Sequence, residues 1–209
     1  GEAKMINNGQ TAKITLSGNR IPSTICGGPL VDDVYEFESA HFHWGEDNCN
    51  GAEHTINNTW YSMEGHVIHW NRKYHTILYG GTLRRPNGVT IIVYFCKLQN
   101  EPNEFMEGIV KNLTVIRTAH SSVRIIPANL TGILKPFSTD YFLYWGSITT
   151  PINIHNILWI ICREPIGLTT KQIAEFRTLH DEKGVPILSN IRPVKPSYSR
   201  GKIHLCNFT

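Results

Sequence analysis

Apolar and polar residues alternate with a period of two through residues 11–17 and 37–44, the pattern of strands that bury one face. Further strands are predicted over residues 63–70, 89–96, 142–144 and 157–162. Turn-forming residues fall between them, at Asn8-Gly9, Cys26-Gly27-Gly28-Pro29, Asn50-Gly51 and Pro86-Asn87-Gly88. Two segments carry helical spacing instead. Residues 102–113 set Phe105, Met106, Ile109, Val110 and Leu113 on one side, and residues 169–180 do the same with Ile173, Phe176 and Leu179. The second opens with Thr169 and Gln172 at capping-box spacing. Helices are few and do not alternate regularly with strands, which argues against a doubly wound parallel sheet. One α+β domain over residues 1–209 is the reading.

Composition narrows the partners more than the fold. The chain has 209 residues, enough for one substantial domain, with 41% hydrophobic and 18% charged residues. A formal charge of +3 without a Lys/Arg block gives no footprint for nucleic acid or an acidic membrane surface. The longest apolar candidate, residues 152–162, is interrupted by Asn153, His155 and Asn156 and reads as a buried strand, not a transmembrane segment. Five cysteines occur with no C-x-x-C spacing, and Cys96 and Cys162 sit in apolar runs as expected of buried thiols. Asn-x-Ser/Thr sequons begin at Asn57, Asn112, Asn129 and Asn207. They favour an extracellular or membrane-associated glycoprotein, with a cytoplasmic protein as the alternative. Oligomeric state is left open by the sequence.

The chemistry is concentrated in histidines. In a strand, His41 and His43 point the same way, and a third imidazole from a neighbouring strand, His66, completes a neutral three-histidine cage. Such a cage suits Zn²⁺ and leaves a fourth position open for water, which zinc turns into a hydroxide nucleophile near neutral pH. Glu64 lies two residues before His66, on the same strand face, and is placed to accept from it; Ser39 holds the corresponding place relative to His41. His69, His75, His120, His155, His180 and His204 read as surface or hydrogen-bonded structural residues.

Several separated motifs agree in order and spacing: His41-Phe-His43-Trp-Gly45, Gly51-Ala-Glu53-His54-Thr55, Glu64-Gly-His66-Val-Ile-His69-Trp70-Asn71, Tyr144-Trp-Gly146-Ser147-Ile148-Thr149-Thr150-Pro151, Glu164-Pro165 and Asn190-Ile-Arg192-Pro193. In these the chain resembles the α-class carbonic anhydrases over essentially its whole length. The resemblance implies their fold, a large, mostly antiparallel twisted central sheet with a few peripheral helices. The family's N-terminal segment is expected to be missing before Gly1. The resemblance also implies zinc-dependent reversible hydration of CO₂ to bicarbonate by attack of zinc-bound hydroxide, with CO₂ and bicarbonate as the small-molecule partners. His41, His43 and His66 match the ligands, Thr149 the gatekeeping threonine and Glu53 the carboxylate that orients it. Ile68, Ile91, Ile148 and Ile157, with Thr150, fall at the substrate pocket. Isoleucine at 68, 91 and 157 narrows it relative to members with smaller side chains. Gln10 falls at the proton-shuttle position, and an amide has no pKa near 7 with which to relay protons as imidazole does. The expected enzyme therefore lacks an efficient histidine shuttle. The competing readings are a catalytically weak or inactive carbonic-anhydrase-like binding module and another three-histidine zinc hydrolase.

Overall fold

The structure, a computed structural model, describes residues 2–18, 21–74, 82, 85–126, 140–149, 153–194 and 203–206. Ten strands among these residues make one sheet: β1 Glu2–Asn7, β2 Ala12–Ser17, β3 Thr24–Ile25, β4 Tyr35–Trp44, β5 Met63–Asn71, β6 Val89–Leu98, β7 Ser122–Ile125, β8 Tyr141–Thr149, β9 Asn153–Leu168 and β10 His204–Cys206. Their order across the sheet is β10-β8-β9-β6-β5-β4-β2-β1-β7, with β3 paired to β4 outside that path. Every pairing is antiparallel except β6 with β9. Two α-helices, α1 Glu104–Leu113 and α2 Thr170–Phe176, complete an α+β fold.

The sheet buries both faces, and alternation along each strand sorts side chains between them. On one face Phe42, Trp44, Tyr94 and Cys96 meet Met106 and Ile109 of α1 and Phe176 of α2. The other carries Ile91, Val93, Phe95, Tyr144, Ile157 and Trp159. Strand β6 feeds both clusters, which is why residues 89–96 read as a continuous apolar run and not as an alternating one. His66 pairs with Val93 across β5 and β6, so the histidine cluster belongs to the second face.

The helices follow their caps. Asn103 accepts from the backbone N–H groups of Phe105 and Met106 and so starts α1 just inside the predicted segment. Thr169 and Gln172 form the expected capping box at the head of α2. That helix ends at Phe176, short of the predicted residue 180. The following N–H groups of Thr178 and Leu179 make tighter i→i+3 bonds to Glu175 O and Phe176 O, and that of His180 leaves the helix for Arg117 O. The Arg177 guanidinium meanwhile donates to Gly45 O, Asp47 O and Asn48 Oδ1 at 2.7–2.8 Å. Leu179 is buried beyond the helix end. Strands β8 and β9 run well past their predicted spans. The register of β9 against β6 shifts between Tyr94 and Cys96, where Pro165 lies, a place where a residue without an N–H costs the ladder nothing.

Among the described residues no helix is long and apolar enough to cross a membrane. Of the sequon asparagines, Asn57 is exposed in a turn with φ 49°, and Asn112 lies on α1 with its amide donating to Gly108 O. Asn129 and Asn207 fall outside the described residues. Cys96 and Cys162 are buried as expected.

Candidate metal centre

Strand β4 supplies His41 and His43, and β5 supplies His66 directly opposite His41 in the ladder. One ring nitrogen from each lies within 4.8 Å of the other two. The Nε2 atoms of His41 and His43 are 3.1 Å apart. Zinc–nitrogen bonds of about 2.0–2.1 Å in a tetrahedron need an edge of about 3.3 Å, so the spacing fits that ion. Burial, reinforced by the neighbouring imidazoles, pushes the His43 pKa down to about 3 and that of His41 well below the usual range. Both are neutral at pH 7, as ligands must be.

The outer nitrogens show which way the rings face. His43 Nδ1 is 3.2 Å from Asn190 O, leaving its Nε2 lone pair for the centre. His66 Nε2 is 2.5 Å from Glu64 Oε1, leaving Nδ1. Glu64 is fully buried. Burial alone would raise its carboxyl pKa, but His54 and His66 outweigh that and hold it well below the ordinary range. Its second oxygen accepts from the backbone N–H groups of Glu53 and His54 at 3.0 and 2.9 Å. His54 Nδ1 also reaches Glu64, at 2.6 Å, and His54 Nε2 lies 2.5 Å from Tyr144 Oη on β8. The atoms of His54, Glu64 and His66 form a second close group. Their spacings are those of hydrogen bonds and both Glu64 oxygens are engaged, so this group is a buttress for His66 and not a second cage.

Glu53 reaches the same site from a loop that closes tightly on β5: a Cβ on Gly51 would lie 1.8 Å from Ser62 O, so only glycine fits there. Glu53 Oε1 accepts from Arg192 N at 3.1 Å and stands 3.3 Å from His43 Nδ1. Burial pushes its carboxyl pKa up. Thr149 closes β8, with its side chain outside the described atoms, and Thr150 lies outside the described residues. Ser39 is buried two residues before His41 on β4, and its hydroxyl donates to Glu38 Oε2. Gln10 is exposed, with its backbone carbonyl accepting from Asn190 Nδ2 at 3.0 Å, the asparagine whose own backbone carbonyl takes His43.

Four isoleucines from four strands share the apolar cluster on the histidine face. Ile91 and Ile157 are buried in the second apolar cluster, and Ile68 and Ile148 pack against it half-buried. Trp159 completes this wall, its ring centroid 5.2 Å from that of His66 and stacked on Tyr144. His69 is structural: buried, edge-on to Phe37, with Nδ1 3.2 Å from Val67 O. Sequence reasoning gave no role to His54, Tyr144, Trp159 or Asn190. His54, Tyr144 and Asn190 each stand inside a quoted motif, and that company was the available signal; Trp159 stands only in the apolar run of residues 157–162.

A family profile described as eukaryotic-type carbonic anhydrase matches residues 1–203. Carbonic anhydrase 3 of Equus caballus is 35% identical over 205 residues, 96% of this chain and 77% of the horse protein. The Sus scrofa and Homo sapiens proteins of the same name are each 34% identical with the same coverage. With the three-histidine cage and its ordered motifs in place, these matches settle the family: the chain belongs to the eukaryotic-type carbonic anhydrases.

Proposed function

We propose that this carbonic anhydrase hydrates CO₂ reversibly at a zinc ion held by His41, His43 and His66, and that it works without an efficient histidine proton relay. The observation that carries the reading is the convergence of three imidazoles from β4 and β5, two of them turned inward by acceptors behind them. Zinc in such a site supplies Lewis-acid activation of water near neutral pH.

The chain's own residues do the rest. Glu64 fixes His66 as the tautomer with a proton on Nε2, and Asn190 O does the same for His43 Nδ1. Glu53 accepts a hydrogen bond from the Thr149 hydroxyl, so that the threonine oxygen can only accept from the O–H of the nucleophile, which turns the nucleophile's remaining lone pair toward the carbon of CO₂. Ile68, Ile91, Ile148 and Ile157 exclude water from the substrate's place, which suits CO₂ because it offers no strong hydrogen-bonding handle. Isoleucine at 68, 91 and 157 narrows that place and slows turnover. Gln10 has no proton to exchange near pH 7, so the proton leaves through solvent and buffer.

Stopped-flow CO₂ hydration on metal-quantified protein, with and without a sulfonamide, tests this. About one zinc per chain and sulfonamide-sensitive hydration are expected. Stoichiometric zinc with hydration no faster than buffer would sink the catalytic reading and leave the binding module.

A further inference from the structure

A second charged feature lies on the sheet face of the histidines, toward β2. Lys13 of β2 pairs directly with His41 of β4, and opposite residues in a ladder share a face. Beside it, β4 advances two positions from Phe37 to Ser39 while β5 advances one, from His69 to Ile68. Glu38 is the extra residue of that bulge, and bulges re-aim side chains. One Glu38 oxygen stands 3.3 Å from Lys13 Nζ and the other accepts from Ser39 Oγ. The two side chains are 26% and 34% exposed respectively. An ion pair this open adds little to stability, so its weight lies in the local field.

The field matters because the two directions of the reaction differ in charge. CO₂ enters neutral, whereas bicarbonate and inhibitory anions are drawn to a cationic centre. An unpaired, half-buried ammonium beside a metal ligand raises the positive potential that such anions meet. We propose that Glu38 is a specificity-determining residue: by neutralising Lys13 next to His41, it limits the hold of the metal centre on anions and so favours CO₂ entry and bicarbonate release. This rests on the metal reading of His41, His43 and His66.

Azide binding to the cobalt(II)-substituted protein, followed by visible absorption at low ionic strength, tests the proposal without measuring turnover. Glu38→Gln should tighten azide on the order of fivefold and Lys13→Gln should weaken it by a similar factor, the scale of one unit charge across a half-solvated gap. The double variant should return to within about twofold of the unsubstituted protein. Both single shifts should shrink at high ionic strength. A purely structural role would not give opposite signs that cancel. Azide affinities unchanged in both single variants would overturn the proposal. Protein that takes up no cobalt would overturn the metal reading instead, and the proposal with it.

Discussion

Glu64 stands opposite His43 in the β4–β5 ladder, yet its carboxylate hydrogen-bonds His66, two residues along its own strand. Period-two alternation puts both on one face, and the buried charge then serves His66, His54 and two backbone N–H groups together. Glu64→Gln keeps the shape and removes the charge, and it puts an amide N–H where an acceptor is needed. Zinc affinity should fall about 10- to 100-fold, measured by competition with a chelator. An unchanged affinity would show that Glu64 does not set the His66 ligand.

Asn190 separates ligation from scaffolding. Its backbone carbonyl takes His43, whereas its side chain bonds Trp44 N, Gln10 O and Phe42 O at 2.8–3.0 Å. Asn190→Ala removes only the second set. Urea unfolding should show a loss of about 2–3 kcal/mol, with zinc content at the unsubstituted level. Loss of zinc at unchanged stability would reverse that division of labour.

The ligands were legible because strand period is a local property. Counting by two sets His41 with His43 and Glu64 with His66, the family resemblance joins the two pairs, and the buried cluster behind them follows from the apolar run of β6. What period cannot show is what arrives from afar. His54 comes from a loop, Tyr144 from β8 and Asn190 from well beyond α2, and only the closed fold brings them to the histidines. The bulge at Glu38 was equally hidden, since a register shift belongs to two strands at once. Strand β1 escaped for another reason. Glu, Ala, Lys and Asn are poor strand formers, and Glu2–Asn7 is extended because β2 and β7 pair with it on either side.

His69 links stability to acid. Burial depresses its pKa from the ordinary 6.5 to about 4. Below pH 6.5 the unfolded chain takes up a proton that the folded chain refuses until about pH 4, so its contribution is complete above 6.5 and is lost as pH falls through that window. Comparing urea unfolding near pH 7 and near pH 4.5, the native protein should lose about 2–3 kcal/mol more than His69→Leu. Parallel losses in the two proteins would show that His69 is not a source of the acid sensitivity.

Gln10 sets the last expectation, because it meets the site through its backbone alone. Its N–H donates to Asn8 Oδ1 at 3.0 Å and its carbonyl accepts from Asn190, so replacing the side chain leaves both bonds in place. The amide itself cannot carry a proton near neutrality, and the proton must leave after bicarbonate has formed. That step enters kcat but not kcat/KM. Imidazole-type buffers should therefore raise kcat with increasing concentration while kcat/KM for CO₂ stays flat. Gln10→His should raise kcat at low buffer about tenfold or more and abolish most of the buffer dependence, again at constant kcat/KM. Stopped-flow hydration across a buffer series reads both quantities. A native rate indifferent to buffer concentration would mean that proton release does not limit turnover. A histidine variant that moved kcat/KM instead would place residue 10 in substrate capture and not in the proton path.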